Sequence, residues 1–288
     1  QEVNDAMKKS MNKSRKKWNV SLAIGTVLIL AVVIVCIVSF IYMPHDPIEM
    51  NTTLNFLRPG ANESYILGTD NFGRDILSRI MMGSRTVLLV GVVSTAFGAV
   101  IGIILGGFAA MSKNIVSSII MRFVDGMMAF PGILLAMMLV LVVGRGEKGS
   151  IVAIAMFIVP TFARLVYSMV LDTESMLFVK AAKSYGITKR RLFEKHYIPL
   201  MATRLITQFS SSIAHAIMVE TSLSFLGLGI QAPNASWGLM LNESRKYFLT
   251  YPYLAVAPGI AIVLTVLGFN LFGDGLNELL ENGKGGKR

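Results

Sequence analysis

Charge is scarce in this chain of 288 residues: 15% are Asp, Glu, Lys or Arg, while 53% are hydrophobic. Ordinary soluble domains carry about 25% charged residues, and the mean hydropathy here is +0.61, so a soluble globule is excluded. The single cysteine, Cys36, lies inside an apolar run, which rules out a disulfide framework and a thiolate metal cluster. Three histidines (His45, His196, His215) stand far apart in sequence and argue against a histidine metal site. Neither His-Glu-x-x-His nor Gly-x-Ser-x-Gly occurs. A glycine-rich loop ending in Lys-Ser or Lys-Thr is also missing, so the chain has no means of cradling ATP phosphates. Gly144–Ser150 (GRGEKGS) has the wrong spacing and falls in a short outer loop. Gly227–Ala232 (GLGIQA) fits a dinucleotide fingerprint by letter count only, because it ends a membrane helix instead of following a strand. Neither catalysis nor a cofactor or metal bound by this chain is expected.

What the chain has in plenty is long apolar runs. They occur at about Val20–Met43, Arg85–Met111, Phe123–Val143, Ile151–Leu171, Arg204–Gly229 and Leu254–Gly273. A helix of about 20 residues crosses a hydrocarbon core of roughly 30 Å, and backbone groups facing lipid must be satisfied within their own segment. The expectation is an all-α membrane protein with six transmembrane helices. The first run is too long for a secretory leader and leads into Pro44-His45-Asp46-Pro47, so it reads as a span. The chain divides into a basic tail (1–19), a first span (20–43), a polar extracytoplasmic segment (44–84), a five-helix core (85–275) and a second tail (276–288).

Basic residues outnumber acidic ones 27 to 17, giving +10 and a pI near 9.8. They lie between apolar spans and not on one soluble face, which points to membrane orientation and away from nucleic acid. With the N-terminus inside, 17 of the 27 fall on the cytoplasmic side and 8 outside. That bias places both termini in the cytoplasm.

Four features stand out within this frame. The polar loop 172–199 contains Val179–Pro199 (VKAAKSYGITKRRLFEKHYIP), which reads as a cytoplasmic helix, break, helix. Asp172 or Thr173 is placed to cap its first helix, Gly186 to end it in a left-handed turn, and Thr188 to cap the second, which Pro199 stops. The second span carries Ser94, Gly98, Gly102, Gly106 and Ala110 at every fourth position, either a packing ridge or chance glycine enrichment. Asp125, Arg164, His215 and Glu220 are ionisable residues in or near spans. Asp125 and Arg164 reach the interface or pair with each other. Glu220 and His215 read as contacts along a substrate path or gate, and Glu220 equally as a structural hydrogen bond to a neighbouring helix. Outside, Thr69 or Asp70 is placed to cap a helix running through Arg79, with Arg74 holding Asp70 or Asp75.

Three stretches together resemble the inner-membrane permease subunits of ABC importers, in the oligopeptide, dipeptide and nickel group, second-permease type. They are Leu67–Arg79 (LGTDNFGRDILSR) with Gly83-Ser84-Arg85, the Val179–Pro199 loop with Ala181, Ala182, Gly186 and Pro199 in register, and Glu220–Gly229 (ETSLSFLGLG) followed by Pro233 and Ser236-Trp237-Gly238. Asp125–Pro131 (DGMMAFP) is a weaker fourth match, and the resemblance spans about residues 65–280. The family loop often begins with Glu where this chain has Lys180, and His196 replaces an apolar residue.

The resemblance implies a type I importer permease in a bacterial or archaeal cytoplasmic membrane. It would pair with a second permease, sit on two ATPase subunits that hold ATP and Mg, and receive cargo from an extracytoplasmic binding protein. Lys180, Ala181, Ala182, Gly186 and Pro199 would then form the coupling site, with Lys189, Arg190 and Arg191 engaging an acidic rim or lipid head groups. The outer motif Gly68, Thr69, Asp70, Gly73, Arg74 and Asp75 would form a collar against a partner, or simply a folded lead-in to the second span. Cargo is expected to be peptide, with nickel or a metallophore as the alternative. A stand-alone secondary transporter would show inverted repeats and more intramembrane charge, and a membrane enzyme would need a nucleophile–base or metal constellation. Neither pattern is present.

Overall fold

The computed structural model describes residues 19–285, with backbone alone at 281–285. The basic tail expected at 1–19 therefore lies outside the described residues, except Asn19. Ten helices follow one another. The long ones are α1 (Val20–Ile41), α2 (Ile76–Met111), α5 (Glu147–Glu174), α8 (Ile198–Phe225) and α10 (Tyr253–Gly285). Shorter ones are α3 (Asn114–Ala129), α4 (Gly132–Val143), α6 (Leu177–Ser184), α7 (Lys189–Leu192) and α9 (Trp237–Ser244). Among the described residues the only β pairing is an isolated Thr69–Asp75 bridge.

Among the described residues four helices are single, long and apolar enough to cross a membrane: α1, α2, α5 and α10. Two of the six expected spans differ. The one expected at about Phe123–Val143 is α3 and α4 meeting at 100°, so the stretch is sharply bent and not one straight helix. The cause is Phe130-Pro131: both have extended ψ values of 139° and 122°, because proline's ring pushes the residue before it out of the helical region. The one expected at Arg204–Gly229 is α8, whose 28 residues are long enough. Its apolar character is diluted by Arg204, Thr207, Gln208, Ser210, Ser211, Ser212, His215 and Glu220.

α2 and α5 form the centre. Gly98, Gly102 and Gly106 sit flat against α5, where a Cβ at Gly98 or Gly102 would come within 2.6 Å of the Ala155 or Val159 carbonyl oxygen. The facing row, Ala155, Val159 and Ala163, repeats every four residues as well, so two matched ridges bring the backbones together. Packing of this kind, and not hydrophobicity, holds helices together in lipid. α8 closes the other side of α2, where Ile213 and Ile217 lie over Gly91. α10 packs on α8 and carries α1 on its outer flank, with Gly25 of α1 against the Phe272 backbone. α10 continues past the expected boundary at 275 as helix through Gly285.

Candidate functional site

The loop between α5 and α8 is built differently from a simple hairpin. Asp172 and Thr173 lie within α5 and do not cap α6, whose N-cap is Met176 without a side-chain bond. Gly186 has φ +76°, the left-handed turn that ends α6, and Thr188 Oγ1 accepts the Arg191 N–H to start α7. Pro199 does not stop a helix. α7 runs through a π turn at Phe193–Tyr197, closed by the Ile198 N–H to the Phe193 carbonyl, directly into α8. Proline at the start of α8 lacks only an N–H, and the wider turn accommodates that loss.

The two alanines face opposite ways. Ala182 is buried with Val179, Leu192 and Tyr197 against Val166, Met169 and Val170 of α5 and Met201 of α8. Ala181 and Lys180 are exposed, beside Leu177 (83% exposed), Phe178 and Tyr185 (88%). α6 is thus a short amphipathic helix with its inner face seated on the bundle and an apolar outer face left open in a polar, basic segment. Two lysines tie the element to the core: Lys183 to Glu174 at the end of α5, and Lys189 Nζ to the Met111 carbonyl at the end of α2, 2.6 Å. The bond to Glu174 raises Lys183 above the ordinary lysine value, while burial raises Tyr197 above that of a free tyrosine. His196 lies 6.5 Å from the Phe178 ring. A cleft of about 240 Å³ separates α6–α7 from the α2–α3 turn.

The motif residues ahead of α2 turn inward. Gly68 (φ +77°) and Gly73 (φ +75°) shape a loop pressed on the Leu57 and Asn51 backbone. Thr69 Oγ1 accepts the Leu57 N–H (3.0 Å) and donates to the Leu54 carbonyl. Asp70 accepts from the Phe72 and Arg74 N–H groups and from Arg74 Nε at 2.6 Å. Neither Thr69 nor Asp70 caps α2. Asp75 does, accepting the Ser78 N–H (2.9 Å) and hydroxyl (2.6 Å), because the tight loop 70–74 delays the helix start. Glu243 of α9, which carries no signal in the local sequence, receives Arg74 Nη2 at 2.7 Å and Arg79 Nη2 at 2.8 Å. Arg74 and Arg79 are 3% and 1% exposed, so this is an internal clamp. Trp237 at the head of α9 completes it, donating Nε1 to the Ile80 carbonyl and filling the space left by Gly83.

His215 and Glu220 are not brought together. Glu220 is fully buried, and its Oε1 accepts the Ser224 hydroxyl (2.7 Å), whose oxygen in turn accepts the Ile230 N–H. That relay folds the segment after α8 back onto the helix. His215 is exposed on the opposite face, with Nδ1 3.0 Å from the Ser211 carbonyl. Arg204, Gln208, Ser211, His215, Met218 and Ser222 fall within about 80° of arc at 100° per residue, all of them exposed or half-exposed. Asp125 pairs with Arg164, linking α3 to α5, both half-exposed.

A bundle of apolar helices with one sharply bent pair and a short helical element seated across one end is the architecture of a membrane permease. The comparisons agree. Residues 98–285 match the family described as "Binding-protein-dependent transport system inner membrane component", and the chain belongs to that family. It is 39% identical over 92% of its length to "Glutathione transport system permease protein GsiD" of Pectobacterium atrosepticum, covering 87% of that protein. It is 34% identical over 96% to "Probable D,D-dipeptide transport system permease protein DdpC" of Escherichia coli, covering 94%. With "Dipeptide transport system permease protein DppC" of Alkalihalophilus pseudofirmus it shares 36% over 92%, covering 86%. The inward-facing MetNI methionine ABC transporter shares the fold: TM-score 0.58 at 18% identity, covering 70% of this chain and 95% of that one. The chain is a permease component of the peptide group of ABC importers.

Proposed function

We propose that this chain pairs with a second permease around a shared path and carries peptides delivered by an extracytoplasmic binding protein. Two ATPase subunits dock on α6 and supply the ATP and Mg that this chain has no loop to bind. Both termini then lie in the cytoplasm, as the lysine and arginine bias requires. The observation that carries the reading is the open apolar face of Leu177, Phe178, Ala181 and Tyr185 on a basic element. Residues of this kind in water mark a protein contact. Gly186 sets the angle at which that face is presented, Lys180 stands at its edge, and Pro199 begins the helix that the element drives. Peptide cargo is supported by the names of three relatives: a glutathione, a D,D-dipeptide and a dipeptide permease.

The test is reconstitution with and without the ATPase subunits. Leu177→Asp with Tyr185→Asp should insert normally but lose co-purification of the ATPases and all ATP-driven uptake. Uptake by this chain alone in liposomes lacking them would sink the proposal.

A further inference from the structure

The exposed faces of the long helices are of two chemically different kinds. α1, α2 and α10 expose only apolar residues through their middle turns, such as Ile34 and Val38, Phe97 and Ile104, and Ile260 and Val263. These suit lipid. The exposed stripe of α8 is polar at Arg204, Gln208, Ser211, His215 and Ser222, with Leu200 and Met218 as its apolar members. A polar stripe on a membrane helix faces protein or water, since ionisable groups facing lipid cost several kcal/mol. It marks this chain's wall of the cargo path.

Its charge has one sign. Arg204 and His215 are the ionisable members, about 16 Å apart along the axis at 1.5 Å per residue. No carboxylate stands on the stripe. The acid nearest in sequence, Glu220, points into the fold at about 140° from His215, and Asp125 on α3 is matched by Arg164. With Nδ1 directed at the Ser211 carbonyl, His215 leaves Nε2 as the ring nitrogen free for the path.

We propose that this wall selects cargo by its carboxylates: it favours peptides with free, net-negative carboxyl groups over net-positive ones, with His215 and Arg204 as the specificity-determining residues. This rests on the peptide reading above. The two stations are too far apart for a di- or tripeptide to bridge at about 3.5 Å per residue, so a carboxylate passes from His215 to Arg204 during import. Gln208 and Ser222 are half-buried and bonded within α8, to the Ser212 hydroxyl and the Met218 carbonyl, and the Ser211 hydroxyl lies toward Gly273 of α10, so Arg204 and His215 carry the recognition.

Two measurements on the assembled transporter in liposomes test this. The first compares uptake of equal-length peptides that are net anionic or net cationic, each at saturating binding protein. Wild type should favour the anionic peptide, and His215→Glu with Arg204→Gln should lower the anionic-to-cationic ratio about tenfold, the lower end of the gain that a single-sign wall gives. An unchanged ratio overturns the proposal. The second needs no cargo. In a Cys36→Ser background, Ser211→Cys is labelled with anionic and cationic methanethiosulfonates, with Val263→Cys as the lipid-facing control. Relative to their rates with a free thiol in water, the anionic reagent should react about tenfold faster than the cationic one at 211, and neither should label 263, where lipid keeps the thiol from ionising. Equal rates, faster cationic labelling, or no labelling at 211 overturn it. If wild type takes up neither peptide, the peptide reading fails and the labelling ratio alone decides the charge of the path.

Discussion

Arg74, Arg79, Asp70 and Glu243 show what a buried charge requires in order to persist. Each guanidinium is nearly sealed from solvent and meets two carboxylates, at 2.6 and 2.7 Å for Arg74 and 3.7 and 2.8 Å for Arg79. Removing one partner strands the other charge, which typically costs about 3–5 kcal/mol, far more than the intact pair is worth against an apolar substitute. Glu243→Gln, which leaves two arginines sharing one acid, should lower the detergent melting temperature of the assembled transporter markedly. Glu243→Ala with Arg79→Leu should recover part of that loss because it removes charge in pairs. A double variant no more stable than Glu243→Gln would show that the clamp contributes little. Asp70, Arg74 and Asp75 could be singled out from the sequence as a group, since they stand within six residues. Glu243 could not be, because it joins Arg74 and Arg79 from 169 and 164 residues away and carries no local signal. Its pairing with the buried Arg74 and Arg79 also bears on the motif. Residues turned inward to hold α9 give a folded lead-in to α2 and leave little of the motif to touch a partner.

At the scale of elements, helix contact without side chains is the dominant device. Gly102 meets the Val159 carbonyl so closely that even one methyl group must displace a backbone. Overpacking of this kind costs about 1–3 kcal/mol. Gly102→Ala should therefore lower the yield and melting temperature of the complex, while Gly126→Ala, with nothing within 4 Å of its Cβ, should leave both unchanged or slightly raised. Equal effects at the two positions, measured by fluorescence-detected size exclusion after heating, would remove the ridge from the account. The ridge was readable because its period matches a helix face. The bend at Phe130-Pro131 was signalled by the proline, but apolar counting treated the stretch as continuous because hydropathy carries no direction. The π turn at Phe193–Tyr197 was invisible for another reason: Pro199 reads locally as a stop, and only packing of Leu192, Tyr197 and Met201 on α5 carries the helix through. The inward turn of Glu220 was likewise undecided, since a helical phase of 160° from Arg204 becomes an inward direction only once the neighbouring helices are placed.

At the scale of the whole molecule, under the proposed ATPase docking the tethers of α6 and α7 would set where a push on this element goes. Lys183 bonds Glu174 at the end of α5, and Lys189 bonds the Met111 carbonyl at the end of α2. α2 and α5 are in turn locked by the ridge, so the element drives them as one body. α3 and α4, broken at Pro131 and packed less extensively, can change angle against that body. α8 continues from α7 without a loop, so the same push turns the polar stripe directly. Both lysine contacts are exposed, and exposed pairs contribute about 0–1 kcal/mol. Their loss should therefore spare folding and affect transmission. Lys183→Met with Lys189→Met is expected to keep ATPase association and ATP hydrolysis near wild type while uptake per ATP falls several-fold. The measurement is paired hydrolysis and uptake in proteoliposomes. A proportional fall in both would place these lysines in docking, and unchanged uptake per ATP would show that the push travels through α8 alone.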